Sequence, residues 1–145
     1  MIYLLDVNLL IALLDSNHVH NSFAHRWIGK LKPRLQWATC PLTENAFIRI
    51  TGKATYPNWL GSAATARNLL KQNCAQPGHH FWADTLSLCD DALWNRPDLL
   101  SSTHLTDCYL LALAVANGGK LASLDRSIPA HLVRGGPEAL TLLPT

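Results

Sequence analysis

Apolar residues along this chain gather in short blocks divided by polar punctuation, and the blocks alternate between strand and helix lengths. The apolar run at residues 2–5 is too short for a helix and ends at a polar residue. That is the pattern of a strand buried on both faces in a parallel sheet. Residues 8–14 look helical, and "NHVHNSFAHRWIGKL" continues the rhythm with Phe23, Trp27 and Leu31 along one face. A second short strand fits residues 36–39, and Pro41 suits the first position of a helix carrying Leu42, Phe47 and Ile48. "TGKATYPNWLGS" reads as loop, and residues 62–73 as a helix. "HHFWAD" is a candidate strand; a helix is predicted near residues 87–94, then the loop "NRPDLLSSTH". Residues 106–117 make the clearest helix, apolar on almost every side and stopping at Gly118-Gly119. "KLASLD" and "ALTLL" supply the last two strands. Strands and helices alternate without repeat or linker. A single domain over residues 1–145 with an α/β fold and a mainly parallel sheet is the expectation.

Composition narrows the class. With 48% hydrophobic and 15% charged residues, the chain has the make-up of a packed globular protein rather than a disordered one. No stretch approaches the roughly 20 apolar residues that span a bilayer, so no membrane partner is expected. The N-terminus has neither a basic leader nor a small-residue cleavage site. Cys40, Cys74, Cys89 and Cys108 are scattered, without a C-x-x-C pair. Free buried thiols in a reducing cytoplasm are the reading that fits both facts. A formal charge of +2 is compatible with a nucleic-acid partner without arguing for one.

The chain has ten acidic residues, and four of them share a context. Asp6 ends the first strand, Glu44 follows Pro41 in a first helical turn, Asp107 opens the apolar helix, and Asp125 ends "KLASL". In an open parallel sheet such positions face the crevice beyond the carboxyl ends of the strands. Each acid also has a local explanation: Asp6 as a helix cap, Glu44 and Asp107 as first-turn acids favoured by the helix dipole, Asp125 as turn chemistry. Convergence of all four would raise their pKa values unless a hard cation such as Mg²⁺ or Mn²⁺ sat among them. Such an ion activates water and offsets charge on a phosphoryl oxygen. Asn8 and Thr106 are plausible neutral supports.

"YLLDVNLLIALLD", "WATCPLTENAFIRI" and "HLTDCYLLALAVANGGKLASLDRSIP" together resemble the PIN-domain ribonucleases, specifically the VapC toxins of bacterial toxin–antitoxin pairs. The resemblance runs from the first strand almost to the C-terminus. It implies a PIN-like, Rossmann-like three-layer fold and a Mg²⁺-dependent endoribonuclease in which Mn²⁺ can substitute. Carried over by motif, the acidic site falls on Asp6, Glu44, Asp107 and Asp125, with Asn8 and Thr106 as accompanying polar positions. Cys108 stands where the family often has alanine. The resemblance further implies a cognate VapB-type antitoxin, a homodimer, and operator DNA contacted only through the antitoxin.

The remaining residues carry weaker signals. Seven histidines lack any H-E-x-x-H spacing and read as surface or packed side chains, with His104 near the rim of the site. Arg49 and Lys53, on and just beyond the helix that bears Glu44, are first candidates for RNA phosphates. Trp27, Trp37 and Trp82 read as core, and Trp59 as a loop residue able to stack on a base or meet a partner. A phosphatase with a strand-end Asp nucleophile wants D-x-D, and the chain has Asp6-Val7-Asn8. A PIN-like module that binds RNA or a partner without cutting is the other alternative.

Overall fold

In the computed structural model, which describes residues 1–144, five short segments pair into one parallel sheet. They are β1 (Tyr3–Leu5), β2 (Trp37–Thr39), β3 (His79–Phe81), β4 (Lys120–Ser123) and β5 (Leu140–Leu142), in the order β3-β2-β1-β4-β5. Tyr3 pairs with Trp37 on one side and Lys120 on the other. Because side chains alternate along a strand, Leu4 joins Ala38 and Leu121 in one core, whereas Leu5 joins Trp37 and Ala122 in the other.

Six helices cover the two faces. α1 (Val7–Leu14), α2 (Asn21–Leu31), α3 (Pro41–Thr51) and α4 (Ala63–Cys74) close over Leu5 and Trp37. α5 (Leu105–Ala116) and the short α6 (Gly136–Ala139) close over Leu4 and Leu121. This is the three-layer α/β arrangement expected of the chain. α5 is buried from Cys108 to Ala114, and Leu110, Leu111 and Leu113 have no exposed surface. Each such leucine contributes about 2 kcal/mol of burial. Past the C-cap Asn117 the chain turns away at Gly118, whose φ of 66° is costly for any residue with a Cβ. Among the described residues no helix is long and apolar enough to cross a membrane.

Residues 87–94 depart from expectation. They form no α-helix, only a 3₁₀ turn at Asp91–Leu93. Ser87 takes the Cys89 N–H at 3.1 Å and Asp90 takes the Ala92 N–H at 2.9 Å. Such side-chain bonds to nearby backbone compete with helix formation. Trp94 is buried instead, its indole donating to the Leu88 carbonyl and its backbone bridging Val133. The cysteines also differ in part: Cys40 and Cys108 are buried, Cys74 is half-buried and Cys89 is exposed, all of them free thiols.

Candidate active site

After β1 the chain builds β2 and β3 on one side, then crosses back to lay β4 on the other side of β1. That reversal opens a crevice beyond the C-terminal ends of β1 and β4. Asp6 is the first residue past β1, and its N–H extends the ladder by donating to the Ala122 carbonyl at 3.0 Å. Oδ1 accepts from the Val7 N–H at 2.7 Å, so Asp6 does cap α1. Oδ2 accepts from the Ser123 hydroxyl at 2.7 Å. Cap and crevice are therefore one geometry.

Ser123, which the sequence pattern does not single out, links two acids. Besides donating to Asp6 it accepts the Asp125 N–H at 3.0 Å. Its one sequence signal is period two: it shares a strand face with Leu121, the face on which Leu4 and Asp6 also lie. Asp125 is held by Ser127, whose N–H and hydroxyl donate to Oδ1 at 2.8 and 2.6 Å. Asp107 lies in the first turn of α5, with His104 Nδ1 3.3 Å from its Oδ2.

The three aspartates feel one another. Asp6 is only 4% exposed, and its pKa is raised first by burial and then by the charges of Asp107 and Asp125, against the pull of Ser123 and Val7. Asp107 is raised by burial and by Asp125, with His104 opposing. Asp125 is lowered by its hydrogen bonds from Ser127. Two carboxyls costly to ionise, beside a third that ionises readily, make a strong draw for a hard cation with oxygen ligands.

Glu44 lies in the first turn of α3, just past the C-terminal end of β2, the strand beside β1. α3 buries Phe47 in the core on the Leu5 side of the sheet, opposite to α5. The Glu44 carboxylate accepts from the Thr39 hydroxyl at 2.7 Å and lies beside Cys74 and His79. Asn8 is exposed in the first turn of α1, next to Asp6. Thr106 is exposed on α5 but lines a leucine-rich groove with Leu42, Asp84, Leu86, Leu88 and Tyr109. Arg49 and Lys53 flank a different cavity with Ile50, Thr55 and Tyr56, at the end of α3 remote from Glu44. Trp59 is half-exposed in its loop, with its indole donating to the Gly52 carbonyl.

No protein-family model matches the chain. Individual proteins do. Ribonuclease VapC44 of Mycobacterium tuberculosis is 41% identical over 133 residues, covering 91% of this chain and 92% of that protein. Ribonuclease VapC39 of the same species is 35% identical over 140 residues, covering 97% and 100%. Among solved structures, VapBC2 from Rickettsia felis, bound to a DNA fragment from its promoter, matches with a TM-score of 0.63 at 13% identity, over 99% of this chain and 100% of that one. VapC20 of Mycobacterium tuberculosis, a toxin that cleaves the sarcin-ricin loop, matches with a TM-score of 0.61 at 13% identity, over 91% and 99%. The solved structures establish a shared fold, and the ribonucleases, aligned over nearly their whole length, establish descent. The chain belongs to the VapC family of PIN-domain ribonucleases, the toxins of VapBC toxin–antitoxin systems.

Proposed function

We propose that this single PIN domain, residues 1–145, is a cytoplasmic endoribonuclease that hydrolyses RNA phosphodiesters with Mg²⁺, or Mn²⁺ as substitute. Its place is the toxin of a VapBC pair. The observation that carries this reading is Asp6, buried at the switch point of the sheet and flanked by Asp107 and Asp125. The donor set is all oxygen and net negative, which fits a hard divalent cation. When bound, such an ion lowers the pKa of water and offsets charge on a phosphoryl oxygen.

The chain's own residues do the holding. Asp6 is fixed from both sides by the Val7 N–H and the Ser123 hydroxyl, so its carboxylate cannot swing away as substrate arrives. Asp107 and Asp125 join it, each steadied by a local partner, His104 and Ser127. Glu44 is the fourth acid of the proposed set, binding the ion or holding a water bound to it, with its Oε2 steadied by the Thr39 hydroxyl. Asn8, exposed beside Asp6, is the neutral contact for RNA or bound water. Arg49 and Lys53, on and just beyond α3, are the contacts proposed for RNA phosphates.

A cognate VapB-type antitoxin, homodimer formation, and operator DNA reached only through the antitoxin complete the proposal, supported by family membership and by the relative solved as a VapBC complex on promoter DNA. The assay is RNA cleavage by purified protein with Mg²⁺, Mn²⁺ or EDTA. Cleavage is expected to need the metal and to fall to background in Asp6→Asn and Asp107→Asn. Undiminished cleavage in both variants would sink the assignment.

A further inference from the structure

The leucine-rich groove lined by Thr106 adjoins the acidic crevice. Leu105 and Thr106 immediately precede Asp107 on α5, and Leu42 shares the first turn of α3 with Glu44. Asp84, just past the end of β3, forms the polar end of the groove. Burial and then the Asp84 charge push the Cys40 thiol up, which sets Asp84 beside the end of β2 as well. The groove encloses about 360 Å³, within the roughly 300–1,000 Å³ of pockets that hold small ligands. We propose that it receives one base of the RNA substrate and that Asp84 makes it selective for guanine. This rests on the ribonuclease reading above and adds the base that the site reads.

Chemistry chooses the occupant. Leu42, Leu86 and Leu88 give the groove apolar walls suited to the faces of a base. A carboxylate repels phosphate and accepts hydrogen bonds only. Unpaired RNA bases are read through their Watson–Crick edges. Guanine alone carries two adjacent donors there, N1–H and N2–H, which a carboxylate takes in parallel; the other three bases offer one N–H position each. The Tyr109 hydroxyl, also lining the groove, donates to Asp84 Oδ1 at 3.1 Å and fixes the carboxylate. Burial and the bond to Asp84 push the Tyr109 phenol up to about 12, so it stays a donor. A carboxylate accepts at about four positions, which leaves both oxygens able to take the base. The wall is preformed, because the buried Trp94 indole donates to the Leu88 carbonyl at 3.1 Å.

The test digests a pool of random single-stranded RNA with the full chain and Mg²⁺, then sequences the new ends. A second arm sequences the RNA captured by Asp6→Asn. Guanine is expected at one fixed position relative to the cut, favoured over adenine at least about tenfold, and enriched in the captured RNA. Asp84→Asn presents one donor and one acceptor, which match the adenine edge, and should move both preferences to adenine. Inosine, which lacks the N2 amino group, should lower kcat/KM of the parent about tenfold at that position. No guanine preference in the parent, or the same preference in Asp84→Asn, overturns the proposal. So does a change in the oligomeric state of Asp84→Asn, by light scattering, without a change of base; the groove would then be a contact between copies of the chain. Guanine enrichment in the captured RNA without any cleavage would overturn the nuclease reading and leave the guanine pocket standing.

Discussion

Ser123 occupies one residue's width between two acids, and its hydroxyl serves both: it donates to Asp6 Oδ2 and accepts the Asp125 N–H. Replacing it with alanine leaves the Asp125 N–H without that acceptor and Asp6 without the hydrogen bond that most opposes its burial. Groups that orient metal ligands are worth about 10–100-fold in affinity or activity when removed. Ser123→Ala is therefore expected to cut RNA cleavage about tenfold at limiting Mg²⁺, with most of the loss recovered at saturating Mg²⁺. A Mg²⁺ titration of cleavage rate measures this, and an unchanged Mg²⁺ midpoint would remove Ser123 from the site. The aspartates at this scale are legible in the sequence because strand ends and helix starts mark the crevice. Ser123 is not, because a small hydroxyl at the end of an apolar strand looks like any other strand end.

At the scale of elements, α1 ends on Asp15, a carboxylate only 1% exposed that no sequence pattern singles out. Tyr56 and Asn58, from the loop between α3 and α4, donate to its Oδ2, and the Asn17 N–H donates to Oδ1 at 3.0 Å. Burial pushes the Asp15 pKa up, but these hydrogen bonds outweigh it and the net shift is downward. One buried charge thus ties the end of α1 to a loop that is otherwise held by the Leu60 N–H bond to the Thr51 carbonyl and the Trp59 indole bond to Gly52. Tyr56→Phe removes a hydrogen bond to a charged group, worth about 1.5–3 kcal/mol, and urea unfolding at neutral pH should show a loss of that size. A carboxylate with a lowered folded pKa stabilises above its ordinary value of 3.8 and loses that contribution as pH falls through the folded value. The gap between Tyr56→Phe and the parent should accordingly narrow below about pH 4; a constant gap would mean that packing, not charge, carries the effect. Contacts between a helix end and a distant loop have no local pattern to announce them. The same limit applies to α3. A helix after a strand is readable from spacing and caps, but which face of the sheet it covers depends on the long-range order β3-β2-β1-β4-β5. Residues 87–94 fail for the opposite reason, since Ser87 and Asp90 bond locally and prevent the helix their apolar neighbours would support.

For the whole molecule, the aspartate crevice sets a conflict between stability and function. Asp6 and Asp107 have raised folded pKa values, so between the ordinary 3.8 and those values the folded state binds more protons than the unfolded one. Stability from these groups is then fully present at low pH and declines as pH rises through the folded values. Asp15 and Asp125 act in the opposite direction below 3.8, and His79, lowered from 6.5, loses its contribution as pH falls below that value. Absolute stability curves therefore mix several windows, but the difference between the parent and Asp6→Asn isolates one. The substituted amide keeps an oxygen to accept the Val7 N–H; it removes the charge and turns an NH₂ toward Ser123, whose hydroxyl then accepts instead of donating. In EDTA the melting temperature of Asp6→Asn should match the parent near pH 4 and exceed it by a few degrees at pH 7, at about 3 °C per kcal/mol for a chain of this size. Mg²⁺ should reverse the order at pH 7 by stabilising the parent through binding to the folded state alone, while leaving the variant nearly unmoved. Thermal scans at the two pH values, with EDTA and with Mg²⁺, give all four comparisons. A parent that is as stable as Asp6→Asn in EDTA at pH 7 would mean that the crevice carries no charge strain for a cation to relieve.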